Sequence, residues 1–542
     1  MKMKKSLYIF VLSAIFVFHG CGFLNEEPGS GQPEETVIRS AEAAIKQALL
    51  PLYSRIGSGE DGMGLQGTYF GVYDLQTFAS NEAMIPVRGG DWWDGGVWMD
   101  LYTHSWANDN ECCENAWLYF YQMVGLCNHS LALLNKYETY MSESQYVTCQ
   151  SEIRAIRAMC YVYLVDLFGR VPIIRSDTVA LHDIRQSERS EVFAFAWDEL
   201  TFTSKYLADT RSNIRGEYYG RITRPVAHFL LMKLALNAEI WTDDNWTDGV
   251  RPDGKAIQLE CDDHVKRNAW ETVVYYGNAI LGSDAGYELC NSRTDCFAAY
   301  NENALENIFT IPMNPTMYQN RFKNQFRSLH YQHGDAIGYG GENGSCATIE
   351  TLDVFGYGTS QQDCRFVEDF YADVVHIDGE PLVLSTGDTL VYHPREVKID
   401  LTGSPYVATA GARMNKYAHD PGAISGGQLR NNDIVLYRLA DVYLMIAEAK
   451  VRNGEDGQTE FDLIRLREPI ALHLMTTPRD ATLENIYYER WMELMWEGWH
   501  RQDQIRFDKY EEIASDQYLT VFPIPQNAIQ TNNNLQQNKG YE

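Results

Sequence analysis

Along much of the chain apolar residues recur at steps of three and four, the spacing of helices that bury one face. Ser40 to Ile56 is the first such segment, with Ser40 placed as N-cap and Pro51 set to loosen its last turn. Asn108 or Asp109 caps a longer one from about Asn110 to Lys136, with Trp117, Phe120, Tyr121, Val124, Leu131 and Leu134 as its inner face. Ser142 opens the next, and Gly169 before Val171-Pro172 ends it. Glu191 to Ala208, a segment entered through Thr223 and Pro225, and Trp270 to Leu281 continue the series. Asp433 starts IVLYRLADVYLMIAEAKVRNG, predicted as a helix that Gly454 stops, and a final helix runs from Leu483 through ERWMELMWEGWHRQDQIRF.

Helices with one apolar stripe must stack to bury it, which predicts an array of helical hairpins of tetratricopeptide type, although no strict 34-residue self-similarity is present. Between about Glu302 and Asn432 the pattern changes to Gly, Asn and short β-branched runs, as in PLVLSTGDTLVYHP and VKIDLTG, read as short strands and loops packed on the helical body. On the last helix Glu489, Glu493 and Glu497 repeat every four residues and repel one another unless cations lie nearby. Arg490, His500 and Arg501 are the local candidates, with Glu497 and Arg501 in the favourable order for a helical ion pair. The expectation is a buried helix with a structural charge network, not catalysis by these carboxylates.

The N-terminus reads differently. Lys2, Lys4 and Lys5 precede an apolar run from Leu7 to Phe18, and Cys21 follows, the order of a lipoprotein signal, although Phe18-His19-Gly20 departs from the usual small residues before the cysteine. The run is too short for an ordinary membrane span. Cleavage at residue 20 would leave Cys21 acylated on a Gly/Pro/Glu-rich tether to Glu35; an ordinary signal peptide is the alternative. The formal charge of −29 disfavours nucleic acid and anionic membrane surfaces as partners. Of the 11 cysteines, Cys160 reads as a small core residue, while Cys290 and Cys296 could close a short loop; at most one or two disulfides and no metal cluster are expected.

Candidate binding chemistry concentrates in RGGDWWDGGVWMD, Arg88 to Asp100. Trp92, Trp93 and Trp98 lie among four glycines, off any helical period, with Arg88, Asp91 and Asp94 beside them. Sugar rings pack their C–H faces on indoles while their hydroxyls need donors and acceptors alongside, so the cluster suits a glycan. Asp74 and the segment ASNEAMIP could add hydrogen bonds, and GYGGENGSCATIETLDVFG, Gly338 to Gly356, could form a second wall, with Cys346 buried or ligand-facing. Gly57 to Gly62 matches GxGxxG but follows a helix, so a dinucleotide site is rejected. TDDNWTDGVRPDG suggests calcium, yet Lys255 stands where an EF-hand loop begun at Asp244 needs glutamate. No cofactor is expected, with a calcium ion in that loop left open.

ERxxELxWEGxxRxDxIRF followed by FPIPQNAIQTNNNLQQNKGY resembles the C-terminal signature of the SusD/RagB family. CGFLNEEP, SEIRAIRAMCYVYLVDLFGRVPI, GRITRPVAHFLLMKLALNAEIW, NENALENIFTIP and LYRLADVYLMIAEA are similar to family segments in the same order. The resemblance implies a mainly α, tetratricopeptide-like array with a loop-rich subdomain of short strands. It divides the chain into a signal peptide (1–20), a lipidated tether (21–35), a helical-repeat region (36–301) with a ligand loop at 74–100, a loop-rich subdomain (302–432) and C-terminal helices (433–542). It also implies a non-catalytic lipoprotein, lipid-anchored at the cell surface in the outer membrane, that binds an oligosaccharide and passes it to a SusC-like TonB-dependent transporter. Peptide or glycoprotein cargo, as for RagB-like members, is the alternative, and a surface glycan-cleaving enzyme the more remote one.

Overall fold

The computed structural model describes residues 38–467, 479–510 and 516–542; the expected signal peptide, Cys21 and tether fall outside the described residues. The body is helical. Its principal helices are α1 (Ala41–Tyr53), α2 (Val72–Phe78), α3 (Val97–Thr103), α4 (Glu111–Lys136), α5 (Glu143–Phe168), α6 (Arg189–Ser204), α7 (Arg224–Leu236), α8 (Ala269–Leu281), α9 (Leu439–Asn453), α10 (Gln458–Arg465), α11 (Leu483–Leu494) and α12 (His500–Arg506).

Local chemistry sets where they start. Ser40 accepts from the Ala43 amide, and Asn110, not Asn108 or Asp109, accepts from those of Cys112 and Cys113. Ser142 with Gln145 and Asn268 with Glu271 close reciprocal capping boxes at α5 and α8. Each long helix packs on the one before it: α1 on α4, α4 on α5, α5 on α6, α6 on α7, α7 on α8 and α8 on α9, which then meets α10 and α11. The hairpin array is therefore present. α5 lies in its middle and is buried on nearly every side from Ile153 to Phe168. No helix of the described residues is long and apolar enough to cross a membrane.

Two predicted helices need correction. Ile434–Arg438 is a strand, and α9 begins only at Leu439. Every residue of that strand is buried, so it shows no alternation, and an apolar run of this kind satisfies a strand and a helix period equally. It pairs antiparallel with Asn307–Ile311 and ties the loop-rich region to the helical body. The last helix is two: α11 ends at Leu494, and the chain turns through Trp496 (φ 66°) and Gly498 (φ 75°) before α12. Glu497 and Arg501 consequently make no helical pair.

The glutamate stripe is buried, as expected, but its cations come from elsewhere. Arg365 reaches Glu489 (2.7 Å) and Glu493 (3.0 Å), and Arg465 also reaches Glu489 (3.1 Å). Arg438 bridges Glu493 (2.6 Å), Glu497 (2.8 Å) and Glu306 (2.9 Å), and Lys416 completes Glu497 at 2.6 Å. Arg490 instead holds Asp441 and Asp503, and Arg501 lies by Asp166. Burial alone would raise the Glu493 carboxyl; Arg467, Arg438, Arg293 and Arg365 outweigh it and hold it well below the ordinary range. This network clamps the loop-rich region onto the C-terminal helices.

In that region strands come only as two-stranded pairs among the described residues. PLVLSTGDTLVYHP contributes to two of them, and Val375, Leu390 and Tyr392 form a small core of their own. VKIDLTG makes no regular strand; it docks on the Arg88 loop through Val87, whose N–H donates to Ile399 O and whose carbonyl accepts from Leu401 N, both at 2.8 Å. The ten described cysteines are free thiols, with Cys160 in the core as expected.

Candidate functional site

The Arg88–Gly96 segment is a rigid double turn. Arg88 and Asp91 exchange backbone hydrogen bonds across Gly89-Gly90, and Gly89 takes the left-handed φ (72°) that such a tight turn requires. The chain then passes through Trp92 (φ 62°), a conformation costly for a bulky residue, before Gly95 and Gly96 lead into α3. Trp92 is held there from outside the loop. Its indole Nε1 donates to Glu342 O at 2.8 Å, its ring meets Tyr69 edge-on, and it lies flush against Gly344.

The three tryptophans have three fates. Trp98 is wholly buried. Because the chain re-enters helix at Val97, Trp98 joins Leu101 on the inner face of α3, packs on Phe70 and Phe78, and donates to Asp94 at 2.7 Å. It offers no stacking surface, and Asp94 serves to anchor it. Trp92 is half-buried. Trp93 is 52% exposed, its ring lying over Gly96.

The polar candidates divide likewise. Arg88 is buried and spent on the carbonyls of Val407 (2.8 Å), Ala410 (3.0 Å) and Gly344. Burial, and then Arg413 nearby, lower its pKa to about 9. Asp74 is fully buried, bonded to Arg327 (2.8 Å) and the Phe70 amide (2.6 Å). Burial raises its pKa and Arg327 opposes the shift. Both are spent on partners inside the protein, not at its surface as the sequence suggested. ASNEAMIP is used internally too, with Asn81 accepting from Gln504 of α12 at 2.7 Å and facing the His500 ring at 2.9 Å. Asp91 remains exposed and accepts from Tyr331 OH at 2.9 Å.

Sequence reasoning missed Tyr331. It is 43% exposed and brings a second aromatic ring to Asp91, two residues before Trp93 in the loop. From Trp92 a chain of contacts leads away beneath the surface: Glu342 accepts from the buried Tyr69 OH (2.7 Å), Lys323 sits over the Tyr69 ring, and Lys323 pairs with Asp61 (2.7 Å). Beyond Asp61 opens a groove of about 1430 Å³, lined by Leu50, Tyr53, Tyr219, Arg221, Met317 and Tyr318 among others. Met317 and Tyr318 are exposed aromatic and thioether surface in a loop without period, the same signal that singled out the tryptophans. The expected second wall is adjacent through Glu342 and Gly344, while Cys346 is buried in a strand pair with Met84.

The Asp-rich loop spends its carboxylates on turns and caps: Asp244 accepts from Ser190, Asp248 from Asn245 and the Val250 amide, Asp243 from the Asn245 amide. Among the described residues the one cluster of three potential metal ligands is Cys290, Cys296 and Glu306.

Comparison with known proteins agrees with this architecture. Residues 402–521 match the family described as SusD family, and residues 22–214 match that described as starch-binding associating with outer membrane. The chain belongs to the SusD/RagB family. It is 24% identical to the starch-binding protein SusD of Bacteroides thetaiotaomicron, over 86% of this chain and 85% of that protein. A SusD-like protein of Bacteroides ovatus is 22% identical, over 96% and 85% respectively. Among solved structures, surface glycan-binding protein A of Bacteroides fluxus superposes with a TM-score of 0.70 at 17% identity, covering 93% of this chain and all of that one (100%). The same protein of B. thetaiotaomicron, in complex with laminarihexaose, gives a TM-score of 0.66 at 17% identity, covering 91% and 98%.

Proposed function

We propose that this SusD-like chain is a non-catalytic, cell-surface glycan-binding lipoprotein. It is anchored in the outer membrane through Cys21, takes an oligosaccharide on the Trp93 face and delivers it to a SusC-like TonB-dependent transporter. The observation that carries this proposal is the half-exposed Trp93 indole on a tight turn, with Asp91, two residues away in the chain, and the exposed Tyr331 hydrogen-bonded to it as hydroxyl partners. A ring that stacks and groups that hydrogen-bond at its edge match the two faces of a sugar. The groove beyond Asp61 gives a longer chain room to continue. Relatives named for starch binding and for a laminarihexaose complex point to the same ligand class. Delivery to a transporter needs release, and stacking with a few hydrogen bonds provides modest, reversible affinity with no covalent step.

An array of starch-type, laminarin-type and other glycans beside peptides tests the cargo. Binding to one glycan class with peptides silent is the expected result; peptides bound with glycans silent would replace the sugar by peptide cargo.

A further inference from the structure

Cys290 and Cys296 lie apart from the Trp93 face. Their sulfurs and a Glu306 oxygen all fall within 4.8 Å of one another. Cys296 is fully buried in a short 3-10 turn (Arg293–Phe297), and its carbonyl is fixed by the amides of Asn301 (2.6 Å) and Asn307 (3.0 Å). Cys290 is half-buried and lines a surface cavity of about 380 Å³ together with Glu288, Asn291, Asp295 and Tyr300.

Two thiols and a carboxylate at this spacing suggest either a metal site or a dithiol. The carboxylate decides between them. Glu306 already accepts from Arg438 (2.9 Å), Arg467 (2.8 Å) and the Cys290 amide (3.1 Å), so its oxygens are committed to an ion-pair network and are poor donors to a cation. The thiols have no such commitment. The Cys296 thiol pointing at Cys290 lowers the Cys290 pKa, whereas burial pushes that of Cys296 well up. The accessible sulfur is thus the better nucleophile and the buried one the resolving partner.

We infer that Cys290 and Cys296 are a redox-active pair that closes to a disulfide by exchange with a small-molecule disulfide. The Cys290 thiolate attacks one sulfur of RSSR and releases RS⁻, which takes up the proton Cys290 gave. The Cys296 sulfur, losing its proton, then displaces the second RS⁻ from the mixed disulfide. In sum, two cysteine thiols and RSSR give one protein disulfide and two RSH. The closed loop would carry Arg293, whose guanidinium holds Glu368 (2.7 Å) and Asp369 (2.9 Å), so closure would restrain a buried anchor of the loop-rich region.

Trypsin cuts after Arg293, between the two cysteines, and leaves fragments 268–293 and 294–321 with one cysteine each. The full chain is incubated with glutathione disulfide, remaining thiols are alkylated, and the digest is mapped without reductant. Recovery of the two fragments joined, lighter by two hydrogens than their thiol forms, is expected. In Cys296→Ser, Cys290 should instead retain glutathione, whereas in Cys290→Ser, Cys296 should stay unmodified. Fragments recovered apart and both alkylated, Cys290 joined to Cys364, or glutathione retained on Cys296 in Cys290→Ser would overturn the assignment.

Discussion

Gly344 shows how narrowly single residues set the tryptophan loop. A Cβ there would come within 2.6 Å of the Trp92 ring and 3.1 Å of Arg327 O. Gly344→Ala should therefore push Trp92 out, at a cost of about 1–3 kcal/mol. Thermal unfolding and indole fluorescence check it, and an unchanged melting temperature with unchanged fluorescence would show the contact to be slack. The irregular tryptophan loop was legible from its glycines, but the separate fates of Trp92, Trp93 and Trp98 were not. They depend on a helix restarting at Val97 and on a carbonyl from Glu342, some 250 positions away. Arg88 and Asp74 were misread for the same reason. Their partners, the Val407 and Ala410 carbonyls and Arg327, lie hundreds of positions downstream, and no local spacing announces them.

Among the elements, α11 carries the clearest energetic claim. Glu493 touches Arg365 and Arg438, both buried, and Arg467, whose side chain is 7% exposed. Glu493→Gln leaves those guanidinium groups short of compensating charge and should destabilise the fold by about 3–5 kcal/mol. Glu484→Gln, exposed on the same helix, should stay within about 0.5 kcal/mol of wild type. Urea unfolding measures both, and equal effects would mean the network is not what anchors the helix. Burial of the stripe was legible from its periodicity. Its cation partners were not, because periodicity reports neighbours on one helix, whereas Arg365, Arg438 and Lys416 arrive from other elements. The strand at Ile434–Arg438 escaped because a fully buried strand lacks the alternation that marks a half-buried one.

At the scale of the whole molecule, the stacked array was legible because each long helix shows its own apolar face and cap, whereas the loop-rich region depends on long-range ion pairs. Buried ion pairs between the helices themselves make stability acid-sensitive. Burial opposes ionisation of Glu448, but Arg506 and Arg452 bring its pKa down to about 2; Asp441, with Lys233 and Arg490, is also at about 2. Their unfolded values are about 4. Each stabilising contribution is thus complete above about pH 4 and lost as pH falls toward 2, on the order of 3 kcal/mol per group. Melting temperature should fall over that window, and Glu448→Gln should flatten part of the decline; equal slopes in the two proteins would contradict the assignment. The central claim is that the Trp93 face binds sugar. It is tested most directly by calorimetry of wild type and of Trp93→Ala with Tyr331→Ala, using the glycan that the array selects. At least a tenfold loss of affinity, or about 1.4 kcal/mol, with an unchanged melting temperature is predicted; affinity equal to wild type in the folded variant would contradict it.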